Sequence, residues 1–244
     1  MPLLRLDKIL CDTGRCSRSQ AKEFIRAGQA LVNGAAVRDP AAKFDPETVS
    51  VSLAGETVEK PGHLYVMLHK PAGLLSASRD TRKPTVLDLM PPAWRKRGLF
   101  CVGRLDKDTT GLLLLTCDGE MNHRLLAPGR HVDKTYLAEV DGPLTEAEVR
   151  AFAQGLTLSD FTAAPAHLEI LSSGESSLAR VTVHEGKFHQ VKRMFSAVGR
   201  EVTQLHRERF GSLRLDEALA PGAWRELTEE ELRALRQDAQ MEEK

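Results

Sequence analysis

Apolar positions in the first sixty residues recur at two different periods. In "LLRLDKILCDTG" Leu6, Ile9 and Leu10 fall at helical spacing, and Gly14 is placed to end the helix. "SRSQAKEFIRAG" repeats the pattern. Ser17 and Gln20 have the spacing of a capping box, Ala21, Phe24 and Ile25 form a core-facing stripe, and Gly28 stops the helix. "ALVNGAAV" is two short apolar runs about Asn33-Gly34, a pair that favours a tight hairpin turn. "ETVSVSLAG" alternates at period two and predicts a strand. "GETVEKPG" then carries Pro and Gly and little that is apolar. Residues 1–58 are therefore expected to form one small domain, 59–63 a linker, and 64–244 a second domain.

Beyond the linker the two periods mix. "HLYVMLHK", "KTYLAEV", "LARVTVHEG" and "REVTQLHRERFG" predict strands, and "KPAG" predicts a turn. "GLLLLT" is apolar throughout and too short for a helix, which predicts a buried strand. "TEAEVRAFAQG" predicts a helix with Thr145 and Glu148 as a second capping box, and "QVKRMFSAVG" one whose Val191, Met194, Phe195 and Val198 share a face. Strands outnumber helices without strict βαβ alternation, so the expected fold class is α+β rather than doubly wound. No internal repeat or low-complexity tract interrupts the pattern.

With 244 residues, 41% apolar and 28% charged, the chain has the composition of a globular protein with a substantial core. Its 34 basic and 34 acidic residues cancel, but the last stretch, "LTEEELRALRQDAQMEEK", is acidic, so the rest carries a basic excess. No apolar run approaches the roughly 20 residues of a membrane span, and Arg5, Asp7 and Lys8 break up the N-terminus, so neither a membrane partner nor a secretory signal is expected. Cys11, Cys16, Cys101 and Cys117 lack the paired spacing of a zinc site and are expected as reduced thiols, which points to the cytoplasm.

Within the second helix Arg18, Lys22 and Arg26 recur every four residues and line up on one side. Arg15 precedes that helix, and Arg5 and Lys8 add charge on the first. A cationic ridge on a small domain suits a phosphate backbone, although an ordinary solvated helix face would look the same. No aromatic side chain interrupts the ridge, which favours structured RNA over stacking on single-stranded bases. The run "RLDKILCDTGRCSRSQAKEFIRAGQALVNGAAV" resembles an S4 RNA-binding domain over most of residues 4 to 50.

The remaining chemistry gathers in "GRLDKDTTGLLLLTCDG", where Asp106 stands among cations before the predicted buried strand. Asp106, Asp108 and Gly111 imitate the start of a calcium loop, but position twelve is Cys117 where a bidentate Glu is needed, so no metal is expected. The glycine-rich phosphate loops and the G-x-S-x-G elbow are absent. A carboxylate can instead act at an anomeric carbon. A glycosidase would need a second acid, for which Asp108 and Asp118 are candidates. A uracil anion leaving through N1 needs no such proton, so one aspartate kept ionised by a nearby cation would suffice.

That motif, together with "KTY" at Lys134 to Tyr136 and "EGKFHQVKRMF", resembles the three ordered motifs of pseudouridine synthases. "LHKPAG", "LHRERFGSL" and the S4-like domain resemble the RsuA family among them. The resemblance implies a largely antiparallel mixed sheet in the second domain. It implies isomerisation of uridine to pseudouridine in small-subunit 16S ribosomal RNA, at the position conventionally numbered 516, without cofactor or metal. It implies that Asp106 assists C1′–N1 cleavage, that Tyr136 stacks on the base, and that Lys192 is the basic partner of Asp106, with Arg193 as the alternative. Val191 would pack against the uracil and Arg104 would hold the flipped-out nucleotide or the place it vacates. His189 is expected to make a structural hydrogen bond, and Lys107 and Asp108 have no assigned role. A monomer acting on 16S RNA or an assembling small subunit is expected. The rivals are a synthase for large-subunit RNA, a nucleoside hydrolase, and a non-catalytic S4-type ribosome-assembly protein.

Overall fold

The structure, a computed structural model, describes residues 3–13, 16–46, 48–58 and 62–241. The chain divides into two units, Met1–His63 and Leu64–Lys244. Gly14, Arg15 and part of the expected linker lie outside the described residues.

In the first unit β1 (Leu4–Arg5) pairs with β4 (Lys43–Phe44) beside helices α1 (Leu6–Asp12) and α2 (Arg18–Arg26). Both halves of the expected capping box form: Ser17 Oγ accepts from the Gln20 amide at 3.3 Å, and Gln20 Oε1 accepts from the Ser17 amide at 2.9 Å. Leu6, Ile9 and Leu10 meet Ala21 and Ile25 in one small core. Phe24, expected in that core, is half-buried and lies outside the cluster. Ala21 and Ile25 alone form the buried stripe of α2. The other strands, β2 (Ala30–Val32), β3 (Ala35–Ala36), β5 (Val51–Leu53) and β6 (Glu56–Thr57), form a sheet in the order β3-β2-β5-β6. Val32 pairs with Ala35, and both intervening residues, Asn33 (φ 51°) and Gly34 (φ 82°), are left-handed as a type I′ hairpin requires.

The second unit is built on one sheet. Its main strands are β7 (Tyr65–Lys70), β9 (Thr110–Thr116), β10 (Lys134–Asp141), β13 (His167–Ser172), β14 (Ser176–Val183), β15 (Val202–Phe210) and β17 (Trp224–Glu226), in the order β13-β14-β10-β15-β9-β7-β17. Short strands β8 (Phe100–Cys101) and β16 (Leu213–Arg214) flank it, and β11 (Leu156–Thr157) pairs with β12 (Thr162–Ala163) apart from it. The pairings along the sheet are antiparallel except β9 with β15, which is parallel. The class is α+β with a mixed, mostly antiparallel sheet.

The leucine run of β9 explains itself once both faces are considered. Leu113 and Leu115 join Val66 and Leu68 on one side, while Leu112 and Leu114 join Tyr65 and Met67 on the other. A strand buried on both faces needs apolar residues at every position. All four leucines are fully buried, each contributing roughly 1.5–3 kcal/mol, so the Asp106 loop leads into a strongly anchored strand.

Helices cover both faces. Phe152 of α5 (Glu146–Gln154) and Met194 and Phe195 of α6 (Gln190–Ala197) pack on the Leu113 side. Met121 and Leu125 of α4 (Gly119–Leu126) and Leu235 of α7 (Glu229–Asp238) pack on the other. A short helix, α3 (Pro92–Lys96), precedes β8. Patterning predicts neither α4 nor α7. Acidic residues dominate α7, yet Thr228 and Glu231 cap it and Leu235 is fully buried.

Two local irregularities shape the sheet near its parallel pair. A register shift between Thr135 and Tyr136 marks a bulge, so that Tyr136 pairs with Arg207. Arg207 in turn pairs with Gly111 of β9. Gly111 has φ +103°, and a Cβ there would lie 2.3 Å from the Arg207 carbonyl oxygen. Only glycine allows the two backbones to approach so closely.

Candidate active site

Asp106 sits on the loop before β9, and that loop is clamped from behind. Lys70, fully buried at the end of β7, donates to the carbonyl oxygens of Pro71 (3.0 Å), Lys107 (3.1 Å) and Thr109 (2.8 Å). Burial lowers its pKa to about 8, against the pull of the Asp108 and Asp106 carboxylates. Ser76 Oγ donates to the Leu105 carbonyl at 2.8 Å and accepts from the Leu105 amide at 3.1 Å, and the Gly73 amide donates to the Lys107 carbonyl at 2.8 Å. "LHKPAG" thus carries the anchor of the aspartate loop. Nothing in its composition indicates which carbonyls Lys70 would meet.

The loop forms one wall of a cleft of about 100 Å³. Asp106 and Arg104 line it together with Tyr136 and Val191, so four expected site residues converge on one space. Arg104 is exposed at the edge, Val191 and Tyr136 are buried, and the Asp106 carboxylate is 26% exposed, neither sealed nor in open solvent.

Lys192, the expected basic partner, reaches Asp106 but engages Asp108 more closely. Lys192 Nζ lies 4.0 Å from Asp106 Oδ2 but 2.7 Å from both oxygens of Asp108, a bidentate contact. That contact, before any other influence, holds the Asp108 carboxyl below its usual range. Lys192 therefore bridges two carboxylates and engages the exposed one more closely. His189 Nε2 is 3.4 Å from Asp106 Oδ1, nearer than Lys192. It adopts left-handed backbone (φ 49°) at the start of α6, which turns the ring toward the loop. Arg193 points elsewhere: its guanidinium pairs with Asp160, donates to Ser159 Oγ, and covers the Phe161 ring at 4.9 Å. Asp118, a candidate second acid, caps α4 by accepting from the Glu120 and Met121 amides, and receives the Tyr65 hydroxyl at 2.7 Å. Its role is structural. Among the described residues no three His, Cys, Asp or Glu side chains are grouped to hold a metal.

The "EGKFHQ" turn closes the cleft from the other side. Gln190 donates to Glu185 at 2.8 Å and accepts from the Lys187 amide at 3.2 Å, bending the chain back on itself. This leaves Phe188 71% exposed and stacked on the His189 ring at 3.8 Å. Sequence patterning does not single out Phe188, because one exposed aromatic looks like a core residue until the turn is seen.

In the first unit, buried Asp7 reorganises the expected ridge. Arg5 donates to it twice (3.1 and 2.9 Å) and Arg18 lies 3.5 Å away. The Arg5 hydrogen bond is the main reason that its carboxyl is held below the usual range. Lys8 pairs with Asp12 at 3.1 Å. Arg18, Lys22 and Arg26 lie on α2 at successive intervals of four residues, and no carboxylate pairs with Lys22 or Arg26 among the described residues. Arg15 lies outside the described residues. Replacing Arg18, Lys22 and Arg26 together by Ala is expected to weaken RNA binding and reduce its salt slope by up to about 0.7–0.9 per lost phosphate contact. Titrations at several salt concentrations check this, and an unchanged slope would remove the ridge from the interface.

The Asp106 carboxylate thus shares one cleft with apolar Val191 and aromatic Tyr136, on a loop fixed by backbone contacts. The chain belongs to the RNA pseudouridylate synthase family, whose sequence signature covers residues 64–197, and residues 4–50 match the S4 domain. It is 42% identical over 234 residues to ribosomal small subunit pseudouridine synthase A of Escherichia coli (strain K12), covering 94% of this chain and 98% of that one. Identity to the Pseudomonas aeruginosa protein of the same name is 44% over 233 residues, covering 94% and 99%. A crystal structure of a pseudouridylate synthase superposes with a TM-score of 0.67 at 37% identity, over 95% of this chain and 99% of the other.

Proposed function

We propose that this pseudouridine synthase isomerises one uridine of small-subunit 16S ribosomal RNA, at the position conventionally numbered 516. The observation that carries the mechanism is the partly shielded Asp106 carboxylate, sharing one cleft with Tyr136 and Val191 and approached by His189 and Lys192. A stacked uridine cannot offer C1′ and C5 to such a cleft, so the nucleotide is first extruded, at a cost of a few kcal/mol. Arg104 at the edge and the cations of α2 offset that cost through phosphate contacts, and exposed Phe188 offers a stacking face to a flanking base. The uracil packs between Tyr136 and Val191.

Heterolysis of C1′–N1 sends the electron pair to the base. Asp106 balances the developing positive charge at C1′, by bonding to the sugar or by standing beside it. The base turns, C5 bonds to C1′, C5 loses its proton and N1 gains one, so atoms and mass are conserved. His189 and Lys192 approach the Asp106 carboxylate from the α6 side and hold it aimed into the cleft. The substrate is naked RNA or a partly assembled subunit, met by a monomer in the cytoplasm. The four free thiols suit that reducing compartment.

The test is to map carbodiimide-resistant uridines in ribosomal RNA with and without the gene. Loss of one resistant site, in 16S RNA only, is expected. A lost site in 23S RNA would replace the substrate. Free uracil released by the purified protein would replace an isomerase with a hydrolase.

A further inference from the structure

Four buried side-chain polar atoms have no hydrogen-bond partner among the described residues, and two of them belong to residues lining this cleft: Thr109 Oγ1 and Arg207 Nη2. Thr109 is 1% exposed and Arg207 2%. A buried N–H left unpaired carries a desolvation penalty, and native structures tolerate few of them outside functional sites.

Arg207 is otherwise firmly held. Its Nε donates to the Leu112 carbonyl at 2.8 Å, its guanidinium lies over the Phe210 ring at 5.3 Å, and its backbone is pinned against Gly111. The unpaired nitrogen is therefore not a loose end of a mobile chain. Lys134, also buried on the cleft lining, donates to the Val132 and His184 carbonyls. Burial and then the charge of Arg207 lower its pKa to about 8. No carboxylate pairs with either cation among the described residues. The cleft thus has a negative group, Asp106, on its loop wall and two cations on the sheet with no carboxylate in ion-pair contact among the described residues. Heterolysis of a nucleoside needs that polarity, with a cationic sugar carbon at one end and an anionic base at the other.

We propose that Arg207 and Thr109 are the seat of the uracil base as it separates from the sugar. Small shifts of the lining as the base is seated bring Arg207 Nη2–H, itself shielded, against a carbonyl oxygen of the base and the Thr109 hydroxyl against a second polar atom of it. The electron pair of the broken C1′–N1 bond spreads onto O2 and O4, so the Arg207 contact strengthens as the bond breaks. The same contact disfavours cytosine if it falls on O4, because an amino group there would meet a donor. The inference rests on the pseudouridine synthase reading and adds the group that takes the charge of the leaving base.

The experiment uses the full chain and 16S transcripts carrying uridine, 2-thiouridine or 4-thiouridine at the modified position, with R207Q, R207K and T109V. For R207Q, kcat is expected to fall about 100-fold with KM within about threefold, as for loss of one donor to a developing anion. One of the two sulfur substitutions should slow wild type by about 10-fold and R207Q by no more than about twofold, because the contact it weakens is already gone. T109V should lose about 10-fold in kcat. Penalties that multiply in R207Q for both sulfurs, or unchanged kcat in R207Q, would overturn the proposal. If the Arg207 variants do not fold, the wild-type sulfur series decides: neither sulfur slowing turnover would overturn it, and one slowing it only when Thr109 is present would support it. Failure here leaves wild type active on natural RNA, whereas failure of the functional reading leaves natural RNA unmodified.

Discussion

Asp106→Asn is expected to give a folded protein that binds ribosomal RNA and forms no detectable pseudouridine. Asn keeps the shape of the carboxylate and loses its charge. Near a protein surface, two unit charges 4 Å apart attract by about 4 kcal/mol, so removing the anion proposed to face C1′ costs on the order of 1,000-fold in rate even if Asp106 acts only by charge. If it bonds to the sugar, the loss is complete. Stability should hardly change. The side chain is 26% exposed, and its contacts are a 3.4 Å approach to His189 and a 4.0 Å approach to Lys192. Lys192 keeps its bidentate contact with Asp108 in the variant. Carbodiimide mapping and filter binding on one preparation check both halves, and retained turnover would remove Asp106 from the chemistry.

Gly111→Ala should have the largest effect on stability of any single methyl addition near the cleft. The new carbon would lie 2.3, 2.6 and 2.9 Å from the Arg207 carbonyl oxygen, amide nitrogen and carbonyl carbon, all backbone atoms, and φ is +103°. No side chain can swing away to relieve that contact, so β9 and β15 must part. A loss above about 3 kcal/mol is expected, from strain and broken strand pairing together. Activity should fall further than stability alone dictates, because the movement displaces Arg207 and the strand that follows Asp106. Urea denaturation measures the first effect, and turnover at a temperature where the variant stays folded measures the second. Stability within about 0.5 kcal/mol of wild type would mean that the strands do not approach as described.

Local signals were legible wherever sequence neighbours decide the outcome. Asn33-Gly34 forms its hairpin, Ser17 with Gln20 and Thr145 with Glu148 form their capping boxes, and the leucine run is a buried strand. The motif around Asp106 pointed to the cleft, and Tyr136, Val191 and Arg104 line it. What stayed hidden depends on distant partners. Lys70 reads as a surface lysine until its contact with the Thr109 carbonyl, 39 residues away, is known. Arg207 reads as one of the two arginines in "HRER" until its contact with Leu112, 95 residues away, fixes it. Helical spacing places Lys192 near the loop but cannot rank Asp106 against Asp108. The closer contact goes to Asp108, whose exposed carboxylate is free to turn toward the lysine. The adjacent Arg193 follows Asp160 in another direction.

The parallel join between β9 and β15 also sets an order of events as the chain is made. Thr110 and His206, 96 residues apart, meet across that seam. Until the second partner leaves the ribosome, the leucine strand has only its antiparallel neighbours and the Asp106 loop has no arginine beneath it. Pairing across so long a loop is slow to nucleate, so the catalytic hollow is among the last features to assemble. A nascent chain stopped short of Leu205 would carry Asp106, Tyr136 and Val191 and still lack Arg207, on which the proposed seat of the base depends.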